Sequence, residues 1–190
     1  MLRLTKLAVW NEKYEFVLKN AHGESKISSL YESIFQNDSY EIVLIFCDTD
    51  KAPHKQYKIL KEKLCGFHGI KNVKKLTDNI IIFANPCTMQ IILSHFGDVS
   101  LKKQSKKVNA DIIEKYTKVK NYDAHEDQIN QICSQIYQRS YPEMKERVDK
   151  INGLDTEPGS TNFITYLNKF EADNSKWIKD SKNILEKEKK

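Results

Sequence analysis

The 190-residue chain contains no apolar run approaching the 18 or so consecutive residues that a membrane span needs. Its opening residues, Met1-Leu2-Arg3-Leu4-Thr5-Lys6, lack the continuous apolar stretch of a secretion signal. Cysteine is sparse: Cys47, Cys65, Cys87 and Cys133 are widely separated and form no CxxC pair. That spacing argues against both a disulfide framework and a structural zinc site. Cys47 falls in an apolar run and Cys133 on an apolar helical face, where a small buried thiol is the ordinary outcome. The expectation is a protein with no membrane association in a reducing, cytoplasmic compartment. With 6 glycines and 4 prolines, no Gly-rich loop of either standard type is present to cradle a phosphate.

What is present is an ordinary globular composition, 39% hydrophobic and 30% charged. The length suits one domain, or a core with a smaller helical appendage, and is enough to bury a core without staples. The formal net charge of +5 is unevenly spread. Residues 51–75 hold eight lysines against the single Glu62, and residues 101–120 hold seven against Asp111 and Glu114. Such asymmetry can steer a polyanion toward one side of a molecule, although lysine-rich helices are also simply well solvated. A patch built from lysine gives charge without the bidentate base reading that arginine supplies.

Two segments read as buried strands: Glu41–Cys47 and Asn79–Ala84, both short, continuous and rich in β-branched and aromatic residues. Between them Pro53–Leu64 carries Tyr57, Leu60 and Leu64 at helical spacing, so the three segments form a βαβ unit with parallel strands. Upstream, Ile27, Leu30, Tyr31, Ile34 and Phe35 make an amphipathic helical stripe. Leu2–Trp10 reads as a further strand, and Tyr14–Leu18 as a shorter one. Asn85-Pro86 has the form of a helix start, with Met89, Ile92, Leu93 and Phe96 on one apolar face. From Asn109 onward the pattern is helical only. Asp123 with Glu126 and Ser140 with Glu143 look like capping boxes, Gly153 like a helix stop, and 154–160 like the clearest loop. The fold class expected is α/β: a mostly parallel central sheet flanked by helices over residues 1–100, with a helical extension over 101–190.

The sharpest chemical constellation is Phe46-Cys47-Asp48-Thr49-Asp50-Lys51. Residues i and i+2 at a strand end point the same way, so Asp48 and Asp50 can converge on one divalent cation. The carboxyl edge of an open α/β sheet is also where ligands bind. Mg²⁺, or Mn²⁺, suits hard oxygen ligands with phosphate completing the shell, and such an ion activates water and steadies phosphoryl charge. The plainer reading is that Asp48 and Asp50 shape the turn before Pro53. Lys51, Asn85 and His95 are candidates to line the site. His95 lies on a largely apolar face, where a packed core histidine is commoner than a ligand. His54 is expected at a solvent-facing helix start. His22-Gly23-Glu24-Ser25 looks like a turn into a helix.

The stretch from Ile42 to Asp50, a helix, and then Ala84-Asn85-Pro86-Cys87-Thr88-Met89 ending in His95-Phe96 resembles the RloB-like and AbiLii-like group of Toprim-fold proteins. That group is associated with restriction loci and abortive phage infection. The resemblance covers about residues 1–100. It implies a Toprim-like sheet, Asp48 and Asp50 as metal-holding catalytic carboxylates, and nuclease chemistry. Two departures stand out. The group's glutamate strand is missing: on one alignment His22 occupies its place, and on the preferred one the strand is not encoded in this chain. Met89 stands where the group often has an acidic residue. Both departures remove carboxylates, and loss of a general base or metal contact lowers activity steeply.

Three functions follow as expectations. The first is a Mg²⁺-dependent phosphodiesterase of phage defence or mobile elements, meeting nucleic acid through the 51–75 lysines. The second is a non-catalytic binding or assembly scaffold of the same fold, with a partner protein of a defence system. The third is a small-molecule-binding α/β domain.

Overall fold

The computed structural model describes residues 13–37, 39–49, 54–101, 106–172 and 174–187. The expected strand Leu2–Trp10 lies outside the described residues, as do Asp50 and Lys51. Among the described residues the protein is mixed α/β, with a two-stranded parallel sheet and nine α-helices.

A short 3-10 turn, Glu24–Lys26, leads into α1, Ile27–Asn37. His22 and Gly23 both adopt positive φ (53° and 131°), which makes the expected turn into that helix. Strand β1 is Ile45–Asp48 and β2 is Ile81–Ala84, with α2 (Lys55–His68) and α3 (Val73–Ile80) between them. Then come α4 (Met89–Leu93), α5 (Lys106–Thr117), α6 (Glu126–Ile136), α7 (Tyr141–Lys150), α8 (Phe163–Glu171) and α9 (Lys176–Lys187).

The expected parallel pairing of the two strands is present, but both strands are shorter than their apolar runs. Asn79 and Ile80 belong to α3, so β2 begins only at Ile81. Asn72 caps α3 by accepting the amides of Lys74 and Lys75 at 3.0 and 3.3 Å, and Leu76, Thr77 and Ile80 are its buried face. Because the ladder can extend no further than its partner, residues 42–44 stay outside β1. All four residues of β2 are buried, as expected of a strand covered on both faces. In β1 burial alternates instead, with Ile45 and Cys47 buried and Phe46 and Asp48 half-exposed.

Two compact units emerge. Among the described residues, one gathers 13–47, 54–82 and 165–187, and the other 48–49 with 83–164, so residue 100 falls inside the second unit. In the first, α2 packs against α1 and α3, and α9 packs against α3. Its buried stripe on α2 is Tyr57, Leu60, Leu64 and His68, the last accepting or donating a 2.9 Å bond with the Tyr31 hydroxyl. Tyr166 donates to the Thr77 carbonyl at 3.2 Å. In the second unit Met89, Leu93, Val99, Leu101, Ile113 and Ile132 form one apolar cluster. Gln90 is fully buried there, its side chain accepting from Leu101 N and donating to Val99 O, both at 2.6 Å.

Two expected helix starts need correction. Asn85-Pro86 does not open α4; the bond is cis, Thr88 is the N-cap, and the Asn85 side chain is used elsewhere. The capping box at Asp123 and Glu126 is replaced by Gln128. Its Oε1 accepts from Asp123 N at 2.9 Å and its Nε2 donates to the carbonyls of Lys120 and Asn121, leaving His125 as N-cap. Ser140 does cap α7, accepting from Glu143 N at 3.4 Å. That helix ends at Lys150 with Ile151 as C-cap, ahead of Gly153.

The far edge of β2 is closed by side chains rather than by a full strand. Asn162 Oδ1 accepts from Phe83 N at 2.9 Å, Thr161 Oγ1 donates to Phe83 O, and Thr161 bridges Ala84. Replacing Asn162 with alanine strands a buried amide, a loss of about 1–3 kcal/mol. Urea unfolding of Asn162→Ala should show a lower midpoint at unchanged m-value, and an unchanged midpoint would contradict the edge-closing role.

A second expectation concerns alkali. Burial raises the phenols of Tyr31, Tyr166 and Tyr122 above the ordinary tyrosine value of 10, Tyr122 to about 12. For Tyr166 the Asp78 charge adds to burial, and a backbone hydrogen bond at Ile81 opposes it. An acid with a raised folded pKa holds its proton more tightly when folded. Its stabilising contribution is complete below the unfolded value of about 10 and is lost as pH climbs above it. Melting temperature should therefore fall steeply between about pH 10 and 12, with the fall blunted in Tyr166→Phe.

Candidate functional site

The carboxyl ends of β1 and β2 lie side by side in the second unit, where Thr49 N continues the ladder by donating to Ala84 O at 3.0 Å. A parallel pair puts both strand ends on one edge, so Asp48 and Asn85 share it, as the sequence implied. Asp48 closes β1 and is half-buried. Its Oδ1 accepts two hydrogen bonds from one residue, Thr88 N at 2.7 Å and Thr88 Oγ1 at 2.8 Å. Thr88 uses its hydroxyl this way instead of capping its own helix. A carboxylate on the otherwise unpaired amide of a first helical turn is a strong, charge-assisted contact. Asp48 thus ties the end of β1 to the turn after β2.

Asn85 is 4% exposed and faces the opposite task. Its backbone N–H donates to Ser160 O at 2.9 Å, and its Nδ2 donates to the carbonyls of Asp155 and Glu157 at 3.1 and 2.8 Å. These bonds hold the 155–160 loop against the end of β2. The loop turns back at Gly159, whose φ of 79° disfavours any side chain and where a Cβ would also displace the Ser100 hydroxyl. Asn85 therefore positions backbone at the edge.

His95 is buried in the turn after α4, its amide bonded to Ile92 O at 3.1 Å. The neighbouring Ser94 carbonyl accepts from Arg147 at 3.2 Å. His54 is half-buried at the N-cap of α2 in the left-handed region, φ 56°, and makes no side-chain cap.

Sequence reasoning missed Tyr122. It packs against the Met89–Leu93 cluster together with Cys87. Its phenol is raised first by burial and then by the charges of Cys87, Asp48 and Cys133, so these groups share one electrostatic neighbourhood. No spacing in the sequence links residues 48, 87, 122 and 133, because the loop between α5 and α6 brings Tyr122 in. That loop holds Lys118, Asn121 and Ala124 at positive φ, 62°, 48° and 61°. Such non-glycine conformations are costly and persist only where the surroundings fix them. The bonds from Gln128 and from Gln135 Nε2 to Thr117 O (2.9 Å) supply that restraint.

Among the described residues, no three of His, Cys, Asp and Glu gather closely enough to hold a metal ion. No described helix is long and apolar enough to cross a membrane. On the first unit, Lys55, Lys58 and Lys63 on α2, Lys71 in the connection, and Lys74 and Lys75 on α3 are all exposed, and Lys61 lies over the Tyr57 ring at 4.6 Å. Comparison of the chain with protein-family models, with curated proteins and with solved structures gave no match.

The tie between Asp48 and Thr88 has a measurable size. Asp48→Ala removes a partly buried acceptor shared by two donors and should cost about 1–3 kcal/mol in chemical unfolding. Asp48→Asn keeps an acceptor oxygen and should cost less. Equal losses would mean that the charge, and not the hydrogen bonds, carries the contact.

Proposed function

We propose that the chain is a Toprim-like protein that works as a binding or assembly scaffold rather than as a nuclease. The observation that carries this reading is the commitment of Asp48 Oδ1 to Thr88 N and Oγ1. The residue best placed to ligate a cation is also the fastening between two loops. The resemblance to the RloB-like and AbiLii-like group supports the fold and the setting in phage defence or mobile elements, with a partner protein of such a system. The carboxylates that nuclease chemistry needs are depleted in two further places. Met89, a buried apolar residue, stands where the group often has an acid. His22, on one alignment, brings an imidazole where a hard oxygen ligand is wanted.

A second reading is favoured by the same atoms. Metal-binding carboxylates are commonly oriented by a hydrogen bond to one oxygen while the other meets the ion. On this reading Asp48 and Asp50 hold Mg²⁺ or Mn²⁺, and the α2–α3 lysines meet a nucleic-acid backbone. Backbone contacts by lysine carry no base specificity, so binding would be sequence-tolerant and weaken steeply with salt.

Melting curves with and without millimolar Mn²⁺ separate the two. A cation bound only by the folded state raises stability by mass action, about 2.7 kcal/mol at a hundredfold excess over its dissociation constant. The scaffold reading expects no Mn²⁺-dependent rise that distinguishes wild type from the Asp48→Asn, Asp50→Asn double variant. A rise in the wild type that disappears in the double variant would restore the nuclease.

A further inference from the structure

The first unit contains a cavity of about 200 Å³ unrelated to the edge that carries Asp48. One wall is aromatic, formed by Tyr31, Phe35 and Tyr40. Ile42, Val43 and Leu185 complete the apolar lining. Glu41, Lys182 and Glu186 also line it and are all exposed, which puts the charges where the cavity meets water. Ligand pockets for drug-sized molecules measure about 300–1,000 Å³, so this space fits a head group rather than a whole cofactor.

We propose that this cavity binds a small organic cation of the quaternary-ammonium type. Three features converge on that chemistry. Aromatic faces attract a cation through their quadrupoles, and several rings around one space are the usual way to hold an alkylated ammonium. The charges at the opening favour the same sign. Among the lining residues Glu41 and Glu186 stand against the single Lys182, one carboxylate in excess. An alkylated ammonium is also weakly hydrated for its charge, so its desolvation against Ile42, Val43 and Leu185 costs less than that of a bare ammonium.

The chain supplies its own illustration. Lys19 Nζ lies 5.4 Å from the centroid of the Tyr40 ring, so that ring already takes a cation, although Lys19 itself does not line the cavity. The wall itself is well fixed. Tyr31 is 2% exposed, stacks on Phe35 with ring centroids 5.8 Å apart, and is anchored by its hydroxyl to His68. Tyr40, at 39% exposed, is the adaptable member. This inference is independent of the scaffold and nuclease readings.

The test compares three probes with the same branched head and different charge: choline, the neutral 3,3-dimethyl-1-butanol and the anionic 3,3-dimethylbutanoate. Each is titrated into the full chain and followed by NMR shift changes. Choline should bind in the millimolar range and more tightly than the neutral alcohol by roughly two- to thirty-fold, the span of a cation–π contribution. Tyr40→Leu and Glu41→Gln alter exposed residues, so the fold survives, and each should weaken choline by a similar factor. Equal binding of choline and the alcohol would reduce the cavity to a greasy hole. Preference for the anion would make Lys182 the governing charge. Either result, the absence of choline binding, or variants that bind like the wild type would overturn the proposal.

Discussion

The burial of β2 is the constraint from which much of the rest follows. With all four residues from Ile81 to Ala84 buried, no water reaches this backbone, and every N–H and C=O must find a protein partner. One edge is met by β1. The other is met by a segment that is not a strand: Thr161 bridges Ala84, and the side chains of Thr161 and Asn162 serve Phe83. Residues almost eighty positions away in sequence are thereby fixed to the middle of the chain. This explains why the end of β2 shares a compact unit with residues as distant as 161 and 162.

The shortness of the two described strands shapes the candidate site. Where a broad sheet has ladder bonds, these strand ends rely on polar side chains: Asp48 on Thr88, Asn85 on the 155–160 loop. A carboxylate that holds a loop can also be held by it, which is why the Asp48 contact suits both a structural tie and an oriented ligand. The two uses differ in what they tolerate. A tie needs an acceptor oxygen and survives the change to asparagine. A Mg²⁺ ligand needs the charge, because a hard cation gives up its water only for a strong donor.

Much of the architecture was legible because burial and periodicity agreed. The stripe of Ile27 to Phe35, the Tyr57–Leu60–Leu64 face, the parallel relation of the two apolar runs and the Ser140 cap all lie where their patterns put them. The start of β2 was misjudged because a short apolar run does not itself show where a helical stripe ends and a strand begins. Val73, Leu76, Thr77 and Ile80 form a helical stripe that runs straight into the β2 run, and the Asn72 cap was the available signal. The Asn85 and Asp123 helix starts failed for one reason. Each motif has the right chemistry for a cap, but a partner distant in sequence or a glutamine five residues on claimed the group first. At the site, the sequence pointed to Asp48 and its edge but not to Tyr122, whose approach depends on a loop with three left-handed residues.

Side-chain amides recur throughout this solution. Gln90 joins Val99 to Leu101, Gln128 closes the loop ahead of α6, Gln135 reaches Thr117, and Asn72, Asn85 and Asn162 serve backbone at α3 and β2. An amide carries a donor and an acceptor on one short fork, so it can stand in for a missing strand at two points at once. In such a protein a buried polar residue near a sheet edge is weak evidence of chemistry, because the backbone already accounts for it. Groups that the backbone does not claim are the better guide. By that criterion Lys55, Lys58, Lys63 and Lys74, all exposed, and the aromatic cavity beside Glu41 are better guides than Asn85. They also differ in kind: one is a spread of exposed positive charge, the other a small, partly open space lined by three aromatic rings, two carboxylates and one ammonium.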